Sequence, residues 1–198
     1  MGHFNVGRLR ISVDFLFLAL VTLALLTDAS GLVGMAMLCC VLHECGHLLA
    51  FCLCKATPEE LALEATGICI RKAEQVLTPG KEAFVQLSGS AVNFAMAIAF
   101  ASEGITHRSL FALMHLLLGS FQLLPLSTLD GGKLLRLILR NADPYRAHRI
   151  CRAADLMGRI LLAGCGIGLL LRNFHSAERW LSAAFLVLPL GGRIRHGE

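Results

Sequence analysis

His43-Glu44-Cys45-Gly46-His47 sets two imidazoles four residues apart, with a carboxylate beside the first. On an α-helix, residues i and i+4 lie about 40° apart around the axis and about 6 Å apart along it, so His43 and His47 point to one side. Neutral imidazole nitrogen binds zinc at about 2.0–2.1 Å, and a carboxylate next to the first ligand is placed to take a proton from water on the metal. This spacing is the apparatus of a zinc hydrolase: His43 and His47 as metal ligands, Glu44 as catalytic acid/base, one zinc ion as cofactor.

The surroundings of the motif sharpen that reading. Leu38 to Cys54 is otherwise an apolar run of the kind that faces lipid. Ionisable side chains near the centre of a bilayer cost about 2.5–3.5 kcal/mol each on insertion scales. Three of them within five residues need an offset, which a bound divalent cation supplies. The bland alternative is a polar cluster hydrogen-bonded inside a helix bundle. Cys39 and Cys40, one turn ahead of His43, offer a further thiolate, but a catalytic zinc with three protein ligands keeps its fourth position open. The eight cysteines fall mostly in apolar segments and in no spaced framework, as small buried hydrophobes do.

A third ligand is sought in the later helices. The segment from about Ser109 sets His115, Gly119 and Gln122 on one stripe and then meets Pro125. Proline removes a backbone donor and clashes one turn back, so the helix should break before Ser127-Thr128-Leu129-Asp130-Gly131-Gly132. Irregular backbone at membrane depth is tolerated where it is buried in protein or lines a polar cavity, which makes Asp130 the natural third ligand. Alone, Asp-Gly-Gly reads as a helix-ending turn; paired with the HExxH it reads as a ligand segment. His115 reads as a packing hydrogen bond, with contact to substrate as the alternative.

The chain that must position these residues has 198 of them, 56% hydrophobic and 16% charged, with a formal charge of +4. The expectation is an all-α polytopic membrane protein of about six transmembrane helices, forming one membrane-embedded domain over 1–198, with its core motifs in 32–135. The spans run from about Leu9 to Thr27 (read as uncleaved, with Asp14 near its start), Leu32 to Cys54, Ala83 to Ala101, Ser109 onward, Leu156 to Leu171, and Trp180 to Leu190, the last short for a crossing. Between spans two and three, Leu61 to Ile70 alternates weakly between Pro58 and Pro79-Gly80 and reads as a short membrane-associated β segment of one or two strands. In span three, Gln86, Gly89 or Ser90, Asn93 and Ala97 share one face, as small and polar residues packed between helices do; Asn93 is the one also considered for the site. Asp143-Pro144 reads as an N-cap with proline at the first helical position.

Lys133 to Arg152 carries six basic residues against Asp143 and belongs on the cytoplasmic side. Alternation from there makes the protein a multi-pass component of the cell membrane, with both termini cytoplasmic and the site in the cytoplasmic half of the bilayer. The positive charge follows the loops and carries no nucleic-acid footprint.

An HExxH in an early membrane helix followed by Leu-Leu-Pro and Leu-Asp-Gly-Gly in a later one resembles the site-2 protease family of intramembrane zinc metalloproteases. The likeness covers roughly Leu32 to Leu135 and is similar in its small size to the minimal bacterial branch that processes sporulation factors. It implies that His43, His47 and Asp130 hold zinc, that Glu44 is the acid/base, and that Ser88 to Asn93 matches the family's Gly-Pro-x-x-Asn segment, with Ser90 replacing the proline. Gln122 stands where the family commonly has Asn, and Ser127-Thr128 where it often has prolines; both departures bear on substrate positioning more than on metal binding.

The expected function is hydrolysis of a peptide bond in or next to a transmembrane segment of a membrane-protein substrate. Gly89, Asn93, Gln122 and the Gly67 to Ile70 edge are the candidates to receive its unwound backbone. The bilayer and a transmembrane substrate are the expected partners, with a membrane regulator or a second copy of the chain as further ones. Two rivals stand beside this reading: a zinc transporter, which would pair the HExxH with ligands on a neighbouring span, and a catalytically inactive adaptor that kept the fold, against which Glu44 argues.

Overall fold

The computed structural model describes residues 2–6, 9–56, 58–64, 67–72, 77–101 and 106–172. The sixth expected span, Trp180 to Leu190, lies outside them. The chain divides into two compact units, the first ending at Gln122 and the second beginning at Leu123.

The first unit combines a small sheet with four helices. Strands β1 (Gly2–Val6) and β2 (Leu9–Val13) form an antiparallel hairpin, and β3 (Pro58–Glu64) and β4 (Gly67–Lys72) form another. β2 pairs in parallel with β3, Ile11 opposite Leu61, giving a four-stranded sheet in the order β1-β2-β3-β4. Parallel strands need a long crossover, here two helices, α1 (Phe15–Thr27) and α2 (Leu32–Leu53). The expected strands between spans two and three are β3 and β4.

The all-α expectation is corrected at the amino terminus. Leu9 to Val13, assigned to a first span, is strand β2, and the helix that follows has 13 residues, about 20 Å at 1.5 Å per residue. Asp14 stands at its N-cap position, its backbone N–H donating to the Leu63 carbonyl at 2.9 Å. The reason for the misreading is physical. Leu9 to Leu26 is apolar enough to pass as one helix, and only pairing with residues some 50 positions downstream makes its start a strand.

Helix α2 starts and stops on identifiable chemistry. Gly31 takes φ 74° before the first turn, and Asp28 caps from outside: Oδ1 accepts from the Ser30 N–H at 3.0 Å and hydroxyl at 2.6 Å, and Oδ2 from the Val33 N–H at 2.7 Å. At the other end Lys55 adopts φ 56°, with Lys55 N–H donating to Cys52 O and Ala56 N–H to Phe51 O, both at 3.0 Å, a Schellman closure with lysine where glycine is usual. Ala50, Phe51, Ala56 and Val85 form a buried cluster beside this end.

Helix α3 (Pro79–Phe100) buries Gln86, Gly89, Ser90, Asn93 and Ala97, the face expected from their spacing, together with Val85. Helix α4 (Thr106–Gln122) packs closely on it: a Cβ at Gly119 would come within 3.1 Å of Asn93 Cβ, and Ser90 Oγ donates to the Gly119 carbonyl at 3.1 Å. Among the described residues two helices, α2 and α3, at 22 residues each, are long and apolar enough to cross a bilayer; six spans are not established.

In the second unit, 123–129 is irregular, as Pro125 requires, and leads into α5 (Asp130–Ile138), a 3-10 turn (Leu139–Asn141) and α6 (Pro144–Arg172). Asp143 caps α6, its Oδ1 accepting from the Arg146 N–H at 2.9 Å with Pro144 at the first position, as expected.

Candidate metal centre

His43 lies at the middle of α2, 1% exposed, with His47 one turn on at 6%. Their Nε2 atoms converge to 3.2 Å. Two ligands held tetrahedrally at about 2.0–2.1 Å from one ion stand about 3.3 Å apart, so the spacing fits a shared metal. The rings meet edge to face, with centroids 4.8 Å apart.

The space for this convergence comes from a glycine on the facing helix. A Cβ at Gly89 would lie 2.5 Å from His47 Nε2 and 2.8 Å from His43 Nε2. Gly46 serves the same approach from α2, where a Cβ would sit 2.8 Å from the Ser88 carbonyl.

Each imidazole is held at its far nitrogen. His47 Nδ1–H donates to the Val85 carbonyl at 2.7 Å, an acceptor shared with the Ser88 hydroxyl, which donates to it at 2.7 Å. That bond fixes the proton on Nδ1 and leaves the Nε2 lone pair for a cation. His43 Nδ1 lies 3.1 Å from Asn93 Nδ2, and the other end of that amide, Oδ1, is 2.9 Å from His115 Nδ1. Asn93 and His115 are both fully buried. Glu44 follows His43 on α2, half-buried.

Asp130 belongs to the second unit, as the first residue of α5, and is 5% exposed. Lys133, one turn on, donates to its Oδ1 at 2.8 Å. The Gly-Gly that follows lets α5 start hard against the irregular segment: a Cβ would fall 2.1 Å from the Leu123 carbonyl oxygen at Gly131 and 1.9 Å from that of Leu126 at Gly132. Asp155 anchors the same segment, its Oδ1 accepting from the Ser127 N–H at 2.7 Å while Arg159 holds its Oδ2 at 2.8 Å. Arg136 donates to the Ser127 carbonyl at 2.9 Å.

His43 and His47 thus offer two buried imidazole ligand atoms in the first unit, and Asp130 offers a buried carboxylate oxygen in the second, the donor types that could hold a metal ion. Two imidazoles and a carboxylate suit zinc with an open position, and the Gly89 cradle and the His47–Val85 bond fit such an ion.

Of the other expected site residues, the first unit brings Gly89 and Asn93 to the histidines, while Gln122 ends α4, half-buried. The Val85 carbonyl carries no side-chain signal that could have announced it. Lys133 and Asp155 were equally unmarked, although Asp130 and Lys133 stand at the i, i+3 spacing of a helical ion pair.

No protein-family model matches the chain, and no curated protein matches it in sequence. Among solved structures it is similar to one described as a site-2 protease from Methanocaldococcus jannaschii, with a TM-score of 0.62 and 22% identity over 98% of this chain and 96% of that one. A mostly helical chain with an HExxH on its second helix and an Asp-Gly-Gly opening its fifth therefore has the fold of a site-2 protease.

Proposed function

We propose that the protein is an intramembrane zinc metalloprotease of the site-2 type, hydrolysing a peptide bond in or next to a transmembrane segment of a membrane-protein substrate. The observation that carries this is the pair of Nε2 atoms 3.2 Å apart on a membrane-length helix, over a glycine and beside Glu44. The shared fold and the Leu-Asp-Gly-Gly segment support it.

His43, His47 and Asp130 would hold the ion. When bound, zinc supplies Lewis-acid polarisation of an amide carbonyl and acidifies water, whose pKa falls toward about 7. Glu44 accepts the proton of the attacking water and returns it to the leaving nitrogen, and the surrounding apolar helices keep other water out. A helical substrate hides its scissile amide in its own hydrogen bonds and must unwind first. Gly89, the Gln122 amide and the outer edge of β4 are assigned to the freed backbone, the strand edge by addition of an extended segment. Asn93 was expected in that group, but both ends of its amide face histidines.

The test pairs Glu44→Gln with a reporter substrate, a single-span peptide carrying helix-breaking residues in its membrane segment. Removal of a general base costs about 10²–10⁴-fold in rate, so cleavage should fall at least 100-fold while zinc content stays that of wild type. Undiminished cleavage by the variant sinks the mechanism. The transporter reading draws no support from His115, whose Nδ1 is directed at Asn93.

A further inference from the structure

The two histidines differ at the nitrogen away from the proposed metal. His47 Nδ1 meets a carbonyl, a pure acceptor, and so keeps its proton there. His43 Nδ1 meets the amide nitrogen of Asn93, a donor, at 3.1 Å. In that orientation Nδ1 of His43 accepts, and a neutral ring carries its proton on Nε2, where it blocks a cation. The row continues: His115 Nδ1–H donates to Asn93 Oδ1 at 2.9 Å, and His115 Nε2, buried, has no hydrogen-bond partner among the described residues.

A half-turn of the Asn93 amide exchanges its oxygen and nitrogen at nearly the same positions. Every bond in the row then reverses. His43 Nδ1–H donates to Oδ1 and its Nε2 lone pair is freed; Nδ2–H donates to His115 Nδ1, and the His115 proton sits on Nε2. Each ring keeps one proton throughout, so neither changes charge. Within the row the two arrangements pair the same atoms, the first adding a bond from His43 Nε2–H to His47 Nε2, 3.2 Å away, and only the second lets His43 act as a neutral ligand. The second also leaves a buried N–H at His115 in place of a buried lone pair, and orphaned N–H groups are the rarer and costlier of the two. The ion-free site therefore favours the blocked arrangement, and an ion must reverse it.

We propose that His43, Asn93 and His115 form a tautomer switch that sets metal competence: an ion at His43 and a proton on His115 Nε2 occur together. Asn93 and His115 are positioning residues in this scheme. It rests on the metal site proposed above.

The experiment uses the full chain in nanodiscs with ¹⁵N-labelled histidine, free of metal and loaded with Zn²⁺, read by long-range proton–nitrogen spectra that report which ring nitrogen carries the proton. The expected result is a change of His115 from Nδ1–H to Nε2–H on loading, together with Nδ1–H at His43. An unchanged His115 tautomer overturns the proposal. Chelator competition with Zn²⁺ on two variants gives an independent reading. Asn93→Asp, an acceptor at both oxygens, should keep the affinity within about 3-fold or tighten it, whereas Asn93→Leu should weaken it about 10–100-fold. Equal weakening by both makes Asn93 a packing residue only and also overturns the switch. If wild type binds no Zn²⁺, or binds it undiminished after His43→Ala, the metal site itself fails and the switch falls with it; His43-dependent binding with a fixed His115 tautomer fails the switch alone.

Discussion

Gly89 is where a single methyl group should separate folding from metal binding. The imidazoles it faces cannot retreat freely, because His47 is tied to the Val85 carbonyl and His43 to Asn93. A Cβ 2.5 Å from His47 Nε2 therefore displaces the ligand atoms themselves. Gly89→Ala should weaken Zn²⁺ binding by at least about 10-fold, the scale of disturbed ligand support, while the helical circular dichroism of the metal-free protein stays unchanged. Wild-type zinc affinity in this variant would mean that the cradle is incidental. At this scale much was legible in advance. The ligand pair follows from a spacing of four, and the buried face of α3 from its helical period, because both signals lie in side-chain type. What holds His47 was illegible, since a backbone carbonyl leaves no mark on residue identity. His115 was readable as a hydrogen-bonding residue but not as the end of a row leading to His43, which depends on how close α3 and α4 come at Gly119.

At the scale of elements, the helix that carries the HExxH depends on a cap outside it. The hydrogen bond from the Ser30 side chain, with lesser ones from the Val33, Ser30 and Leu32 backbone, holds the Asp28 carboxyl below its usual range against desolvation, which opposes it. A carboxylate with a depressed folded pKa contributes fully above the unfolded value, near 3.9, and that contribution is lost as pH falls through the folded value. Amide exchange at Leu32 to Met35 should therefore be flat from neutrality to about pH 5 and show an added opening below about pH 4, after correction for intrinsic rates. Asp28→Ala should show the faster exchange at every pH. A second prediction concerns the start of α5. A Cβ at Gly132 would stand 1.9 Å from the Leu126 carbonyl, a backbone atom that cannot swing aside. Gly132→Ala should cost about 1–3 kcal/mol, as overpacking does, read as earlier loss of protection in 123–138 on heating. The Pro125 break and the Asp143-Pro144 helix start were visible because proline acts locally. Strand β2 was not, because its partner β3 lies across two helices in the chain.

At the scale of the whole chain, the sheet bears on topology within the first unit. β2 and β3 are hydrogen-bonded neighbours, so the chain leaves the sheet at Val13 and returns to it at Pro58 on the same side of whatever α1 and α2 traverse. Hydropathy had implied the same return trip by alternation of spans; the strand pairing reaches it through hydrogen bonds, independently of whether the 13-residue α1 is long enough to cross alone. The positive-inside rule then supplies direction, since Lys133, Arg136, Arg140, Arg146, Arg149 and Arg152 outnumber Asp143 around the 3-10 turn. Arg140 is exposed there. If the basic segment and the amino-terminal hairpin both face the cytoplasm, trypsin should cut after Arg140 and remove an epitope placed ahead of β1 in inverted vesicles, and do neither in right-side-out vesicles. Protection of both sites in inverted vesicles would reverse the orientation. Protection of one alone would instead contradict the alternation of spans expected from the sequence, and with it the expected placement of Glu44 toward the cytoplasmic half of the bilayer.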